Sequence, residues 1–143
     1  MENHVKKIES VLKLKDITIR NSKFERISSK DWEDFTLGFK LNINESDQDF
    51  EIIFVTRIKE TDVFNLEVEC GAFFELDTFT KENPVEIKNE KFYANALAII
   101  FPYIRAYITQ ITAIPNMKPI ILPVVNINAL LEELKKEQSK EQS

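Results

Sequence analysis

The sequence is short of the residues on which most enzyme chemistry depends. Its 143 residues include only 2 glycines and 1 histidine. Dinucleotide fingerprints and Walker-type phosphate loops need several glycines at fixed spacing, so neither can be written from this chain. The single histidine, His4, lies near the start of the sequence, away from any partner that could complete a catalytic or zinc-binding cluster. We therefore expect no enzyme activity, no metal site and no cofactor.

Two carboxylates, Glu67 and Glu69, remain candidates for acid–base chemistry, because glycoside hydrolysis needs only a pair of acids. They lie two residues apart in an alternating segment, which places both on one strand face. That face is polar and no cleft is implied, so we interpret them as solvated charges.

Cysteine and long apolar runs are scarce as well. Cys70 is the only cysteine, so no internal disulfide can form, and we interpret it as a small core residue. The opening "MENHVKKIESVLKLKDITIR" lacks the apolar segment of a secretory signal. The run "ALAIIFPYI" stops at Arg105, far short of the roughly 20 residues of a membrane-spanning helix. We expect a cytoplasmic protein without membrane insertion.

Composition and charge fit a globular protein. The chain is 43% hydrophobic and 30% charged, with a net charge of -5 and a pI near 5.0. No cluster of Lys and Arg stands out, which argues against nucleic-acid binding, whereas an acidic surface suits a basic protein partner. The length predicts a single domain over residues 1–137, with residues 138–143 as a disordered tail.

Alternating apolar residues predict four strands in the first half of the chain. The clearest is "VFNLEVECGAFFELD", with one dry face and one acidic face. The earlier segment "VLKLKDITI" changes its apolar phase between Leu14 and Ile17, which predicts a bulge. Turn-forming segments such as "NESDQ" join the strands, so the sequence predicts an antiparallel meander.

The segment "ALAIIFPYIRAYITQI" predicts a long helix, although Pro102 lies in its middle and costs about 3 kcal/mol in an ordinary helix interior. One apolar stripe on this helix is wide enough to cover a sheet face. A second, smaller stripe requires either another protomer or the C-terminal helix to cover it. Its members include Ile99, Tyr103, Ala106 and Gln110.

Three prolines in "IPNMKPIILPVV" predict an extended surface loop. Asn126 is a good N-cap for a final helix, "INALLEELKKEQ", with Val125 and Leu130 at the positions of a hydrophobic staple. The predicted fold class is α+β, with a four-stranded antiparallel sheet, one long helix and one C-terminal helix.

The order of these segments resembles the SecB family of bacterial protein-export chaperones. That family carries a Phe-Pro-Tyr signature on its main helix, matched here by Phe101, Pro102 and Tyr103 after a large apolar residue. Downstream, "LPVVNINALL" is similar to the family's Pro-Val-Asn-Phe-Asp-Ala-Leu, with one inserted residue. The family's strand motif is met by Phe64, Glu67, Val68, Gly71 and Phe74. The resemblance spans about residues 10–135.

The resemblance implies a chaperone without nucleotide hydrolysis, which binds unfolded precursor proteins in apolar surface grooves and keeps them competent for translocation. It also implies a homotetramer built as a dimer of dimers, with the second helical stripe at the interface between protomers. Such grooves need aromatic and aliphatic surface, and the chain has 11 Phe, 3 Tyr and 1 Trp. The candidate groove residues are Phe24, Trp32, Phe35, Ile120, Leu122 and Val124.

In the family, an acidic outer sheet face docks the basic tail of the SecA motor, and the resemblance carries this role to Asp16, Glu67 and Glu69. Two departures from the family pattern are Arg20 and Asn65. Two other functions stay open. One is a SecB-like chaperone dedicated to a single client, such as an antitoxin. The other is a structural or small-ligand-binding domain that binds no unfolded chain.

Overall fold

The computed structural model describes residues 12–46, 49–76 and 90–142, so His4 lies outside the described residues. Its fold is the predicted α+β class, a four-stranded antiparallel sheet with two helices. The elements are β1 (Leu12–Arg26), β2 (Thr36–Glu45), β3 (Asp49–Glu60), β4 (Phe64–Leu76), α1 (Glu90–Ile111) and α2 (Ile127–Gln142).

The strand order is β1-β4-β3-β2, which corrects the predicted meander. Strands β2, β3 and β4 do form consecutive antiparallel hairpins, but β1 pairs with β4 and not with β2. The crossover segment 27–35 therefore spans the end of the sheet, and the order is that of a Greek key. Alternation in a sequence reports which face a side chain occupies, whereas it does not report which strand lies alongside.

Strand β1 contains two bulges. Its register against β4 shifts between Leu14 and Asp16, as predicted, and again between Ile19 and Asn21, which the sequence analysis did not foresee. Lys15 and Arg20 are the extra residues at these two shifts. A bulge bends the strand and changes which face the following side chains occupy. Both extra residues are basic, and both take part in ion pairs described below.

The core lies between the sheet and α1. The inner face of β4 is buried as predicted, from Phe64 to Phe74, and Cys70 is buried with it. Burial raises the pKa of the Cys70 thiol to about 11, which keeps it protonated and inert at neutral pH. The apolar stripe of α1 covers this face, and its fully or almost fully buried members are Leu97, Ile100, Phe101, Ile104 and Ile108.

Pro102 lies inside α1 and is exposed to solvent. A proline removes the donor for the carbonyl four residues earlier, here that of Ala98, which also lies on the exposed side of the helix. Water can therefore reach the carbonyl that the proline leaves without a donor. This position limits the cost of the proline and lets the helix continue to Ile111.

Helix α2 begins as predicted. The Asn126 side-chain oxygen accepts a hydrogen bond from the Ala129 backbone N–H at 3.1 Å, which caps the helix. The helix continues to Gln142, so helical backbone occupies most of the segment assigned to a disordered tail. The Lys, Glu and Gln residues of that segment have good intrinsic helix propensity, which accounts for the difference.

Candidate functional site

The predicted groove residues lie around two segments, the crossover 27–35 and the proline-rich loop 113–126. Arg26, the last residue of β1, joins these segments by donating hydrogen bonds to backbone carbonyls of both. It bonds to the carbonyls of Ser28 and Ser29 at 3.1 and 3.2 Å, and to those of Pro115 and Asn116 at 3.0 and 2.6 Å. One guanidinium thereby connects parts of the chain that are almost 90 residues apart.

Trp32 makes a second connection between the same segments. Its indole N–H donates to the Lys118 carbonyl at 2.8 Å, and the Lys118 ammonium lies 4.4 Å from the centre of the ring. The Asp31 carboxylate accepts a hydrogen bond from the Lys118 backbone N–H at 3.1 Å. Phe35 packs edge-on against Trp32, with ring centroids 5.2 Å apart. Trp32 and Phe35 are thus brought together beside the loop, and their role in a client-binding groove stays a prediction.

Phe24 has a different environment. It is half-buried on β1 opposite Leu66, and its ring stacks on Phe64 with a centroid distance of 6.2 Å. Its contacts are with the inner face of the sheet. The structure therefore connects it to the core more directly than to the Trp32–Phe35 pair.

The proline-rich loop corrects two of the predicted groove residues. Ile120 and Leu122 are both 0% exposed, so neither side chain offers surface to a client. The Ile120 backbone is also fixed to the end of α1. Its carbonyl accepts from the hydroxyl of Thr109 in the helix, and its N–H donates to the hydroxyl of Thr112, which follows the helix, each at 2.8 Å. An extended chain turns alternate side chains inward, and here the inward ones hold the loop on the core.

The outward residues of the same loop are the ones available to a ligand. Val124 is 90% exposed, so the inward alternation of Ile120 and Leu122 does not continue beyond Pro123. Ile121, which the sequence analysis did not select, is 67% exposed. Its position one residue after Ile120 was the available signal, since alternation along an extended segment puts neighbours on opposite sides.

Asp16, Glu67 and Glu69 all lie on the outer sheet face, but Asp16 is opposite Phe73 and so lies further along the sheet from the two glutamates. The charge of this face is not the purely acidic one that the sequence predicts, however. Glu67 lies between a basic residue on each neighbouring strand, Arg57 on β3 and Lys23 on β1. The Arg57 Nε lies 3.0 Å from the Glu67 carboxylate. The face is therefore one of mixed charge, because strand pairing sets bases from β1 and β3 beside the acids of β4.

Arg20 and Lys15 contribute two more ion pairs to this face. Lys15 pairs with Glu75 at 2.7 Å, and Arg20 crosses β4 to pair with Glu51 on β3. The hydrogen bond from Arg20, followed by one from Asn44, holds the pKa of Glu51 below its usual value. Glu51 and the nearby charge of Glu69 raise the pKa of Arg20. Arg20, noted from the sequence as a departure from the family, thus neutralises part of the proposed docking face.

The second stripe of α1 is open in the single chain. Tyr103 is 54% exposed, and Ile99, Ala106 and Gln110 are exposed with it. The alternative in which α2 covers this stripe is therefore not what the fold shows. The role of these residues at an oligomer interface stays a prediction.

Three comparisons with known proteins show which family the chain belongs to and which solved fold it resembles. Residues 4–138 match the family model described as preprotein translocase subunit SecB. An uncharacterized protein of Methanocaldococcus jannaschii is 34% identical over 110 residues, which cover 72% of this chain and 68% of that protein. The protein-export protein SecB of Ehrlichia canis is 29% identical over 91 residues, covering 61% of this chain and about half, 51%, of that protein.

Among solved structures, the fold is similar to a SecB-like chaperone of Mycobacterium tuberculosis in complex with a ChAD peptide from the HigA1 antitoxin. The TM-score is 0.70 at 16% sequence identity, and the match covers 85% of this chain and 94% of that one. The fold is thus that of SecB-like chaperones. The chain belongs to the SecB family, whose members are chaperones and not enzymes.

Two further observations concern the described residues alone. Within residues 12–46, 49–76 and 90–142, no group of three His, Cys, Asp or Glu side chains is arranged to hold a metal ion. Neither helix in the described part of the chain is long and apolar enough to cross a bilayer.

Proposed function

We propose that this protein is an ATP-independent holdase, which binds unfolded precursor proteins through apolar surface and keeps them soluble and competent for translocation in the cytoplasm. The working unit in this proposal is a homotetramer, with the exposed α1 stripe at the interface between protomers. The proposal follows from membership of the SecB family together with the position of the proline-rich loop.

The observation that carries the proposal is that buried and exposed apolar side chains both occur within residues 120–124. Ile120 and Leu122 hold the loop on the core, while Ile121 and Val124 present apolar side chains to solvent. Exposed aliphatic side chains on a fixed backbone are suited to binding an unfolded chain, because each can bury area against it at about 25 cal/mol per Å² without an ordering cost for the loop. The half-buried Trp32 lies beside the same loop at Lys118, and the half-buried Phe35 packs against it.

The test is suppression of aggregation of a reduced, unfolded client, measured by light scattering. Ile121→Asp and Val124→Asp should each weaken suppression, because an unpaired charge in an apolar contact must be desolvated. Asn42→Asp is the matched control, because it adds the same negative charge at an exposed position on β2. This variant should suppress aggregation to the same extent as the wild type. Both loop variants should keep the wild-type melting temperature, since neither side chain contributes to the core.

A wild-type protein that neither binds the client nor slows its aggregation would overturn the holdase proposal. The structural or small-ligand-binding alternative would then take its place. Loss of suppression in the loop variants together with a lower melting temperature would mean that the loop residues stabilise the fold.

Delivery of clients to SecA through Asp16, Glu67 and Glu69 is the export version of this proposal. The mixed charge around Glu67 favours the other version, a chaperone dedicated to one client such as an antitoxin, because Arg57 already neutralises Glu67, a carboxylate that a basic tail would need. A survey of clients captured in cells separates the two versions. One dominant client supports the dedicated version, and many precursors support export.

A further inference from the structure

The outer sheet face contains a hollow that the proposed client-binding loop does not use. It has a volume of about 470 Å³ and is lined by side chains or backbone from all four strands. Gly38 on β2 forms part of its wall, and a Cβ added there would meet nothing within 4 Å, so the space above this residue is open. The size is in the range of ligand-binding pockets, which usually measure 300–1,000 Å³.

The charges at the hollow lie in two rows set by strand pairing. In one row Arg57, Glu67 and Lys23 are neighbours on β3, β4 and β1. In the next row Lys59, Asn65 and Glu25 occupy the same three strands. Each row therefore has a base on β3.

These charges are not fully paired with one another. Arg57 holds Glu67 through its Nε. Lys23 and Lys59 make no ion pair with any residue in the described part of the chain. With Glu67 neutralised by Arg57, two free ammonium groups face one free carboxylate, that of Glu25. The remaining balance at the hollow is positive, although the chain as a whole carries a net charge of -5.

Asn65 lies between Lys59 on β3 and Glu25 on β1, and Lys23 lies in the neighbouring row on β1. The side-chain amide of Asn65 can donate a hydrogen bond, as can the ammonium groups of Lys23 and Lys59. The Arg57 side chain is 64% exposed, and its guanidinium retains terminal N–H groups for a second carboxylate. The hollow thus combines donors and positive charge from three adjacent strands.

We propose that this hollow binds an acidic segment of a partner protein, with the segment's carboxylates received by Lys23, Lys59 and Arg57. Charge complementarity identifies the occupant, since unpaired bases favour carboxylates and disfavour a basic tail. The proposal goes beyond the holdase function, because the hollow shares no residue with the loop at 120–124. The family resemblance implies a basic partner for the outer face, whereas this proposal gives that face an acidic partner.

The test uses fluorescence anisotropy with two labelled peptides of equal length, one of alternating Glu and Gly and one of alternating Lys and Gly. The wild type should bind the acidic peptide more tightly than the basic one, and added salt should weaken the binding. Lys59→Glu should raise the dissociation constant of the acidic peptide about tenfold or more, as expected when a charge at a contact is reversed. Lys40→Glu, a change of the same charge on the outer face away from the hollow, should have little effect.

Gly38→Leu provides a second variant that does not alter charge. A Cβ at this position would meet nothing within 4 Å, so a leucine side chain has open space in which to enter the hollow. The change should weaken binding of the acidic peptide while leaving the melting temperature unchanged or higher. Three outcomes would overturn the proposal. They are tighter binding of the basic peptide, binding of neither peptide, and a loss of affinity in Lys40→Glu equal to that in Lys59→Glu. Aggregation suppression by Lys59→Glu and Gly38→Leu should equal that of the wild type, so failure here is distinguishable from failure of the holdase proposal.

Discussion

Arg20 lies directly over Gly71, and the absence of a side chain at Gly71 is what allows it. A Cβ at position 71 would fall 2.2 Å from the Arg20 Nε and 2.5 Å from its Cζ. The guanidinium uses this space to cross β4 and pair with Glu51 on β3. The bulge at Arg20 and the missing side chain at Gly71 therefore both allow a base on β1 to reach across β4 to β3.

Gly71→Ala should displace Arg20 and break its ion pair with Glu51. An exposed ion pair contributes at most about 1 kcal/mol, whereas alanine in a strand is favoured over glycine by about 0.5–1 kcal/mol. In the wild-type background these effects should nearly cancel in the free energy of unfolding, measured by urea titration. In an Arg20→Ala background only the second effect remains, so Gly71→Ala should stabilise. An identical change in both backgrounds would show that the two residues do not interact.

The Arg20–Glu51 pair should make stability depend on pH. Because the pKa of Glu51 is lowered in the folded protein, its contribution is present above the unfolded pKa of about 4.3 and is lost as pH falls through the folded value. Glu51→Gln should therefore be less stable than the wild type at pH 7, by less than about 1 kcal/mol for so exposed a pair. The difference should vanish once the pH lies below the lowered pKa of Glu51 in the folded protein. A difference that is unchanged at low pH would exclude the carboxylate charge as its cause.

Thr112 should be critical for holding the proline-rich loop on the core. Its buried hydroxyl donates to the Ile108 carbonyl at 2.7 Å and accepts from the Ile120 N–H at 2.8 Å. Thr112→Val would leave the Ile120 N–H without its acceptor, at a cost of about 1–3 kcal/mol in the free energy of unfolding. Thr18→Val, at an exposed position on β1, is the control and should change stability little. Equal stabilities for the two variants would contradict the assigned role.

Tyr103→Asp tests the proposed oligomer interface. In the single chain the tyrosine is largely exposed, so the change should leave the melting temperature of a dissociated protomer almost unaltered. In the proposed tetramer it would bury an unpaired charge and shift the mass toward dimers, measured by light scattering at micromolar concentration. Asn42→Asp serves again as the control for added charge. An unchanged mass for Tyr103→Asp would place the interface elsewhere.

Periodicity was enough to predict the fold class from the sequence. Strict alternation from Phe64 to Phe74 specified β4 and its buried face, and the change of phase after Leu14 specified the first bulge. The cap at Asn126 could also be predicted, because capping depends on residues close in sequence. These properties can be read locally, because each depends on residues that are close together in the sequence.

Long-range pairing decided which charges and apolar side chains lie next to one another. A residue's neighbours across strands or loops are set by the whole fold. The position of β1 beside β4 set Lys23 next to Glu67, and pairing with β3 set Arg57 on its other side, which turned an acidic strand face into one of mixed charge. Packing of the loop on the core likewise decided that Ile120 and Leu122 lie inward while Ile121 and Val124 lie outward. The sequence by itself determined the elements, their faces and the family, whereas only the tertiary structure decided which charges remain free and which apolar residues a client could reach.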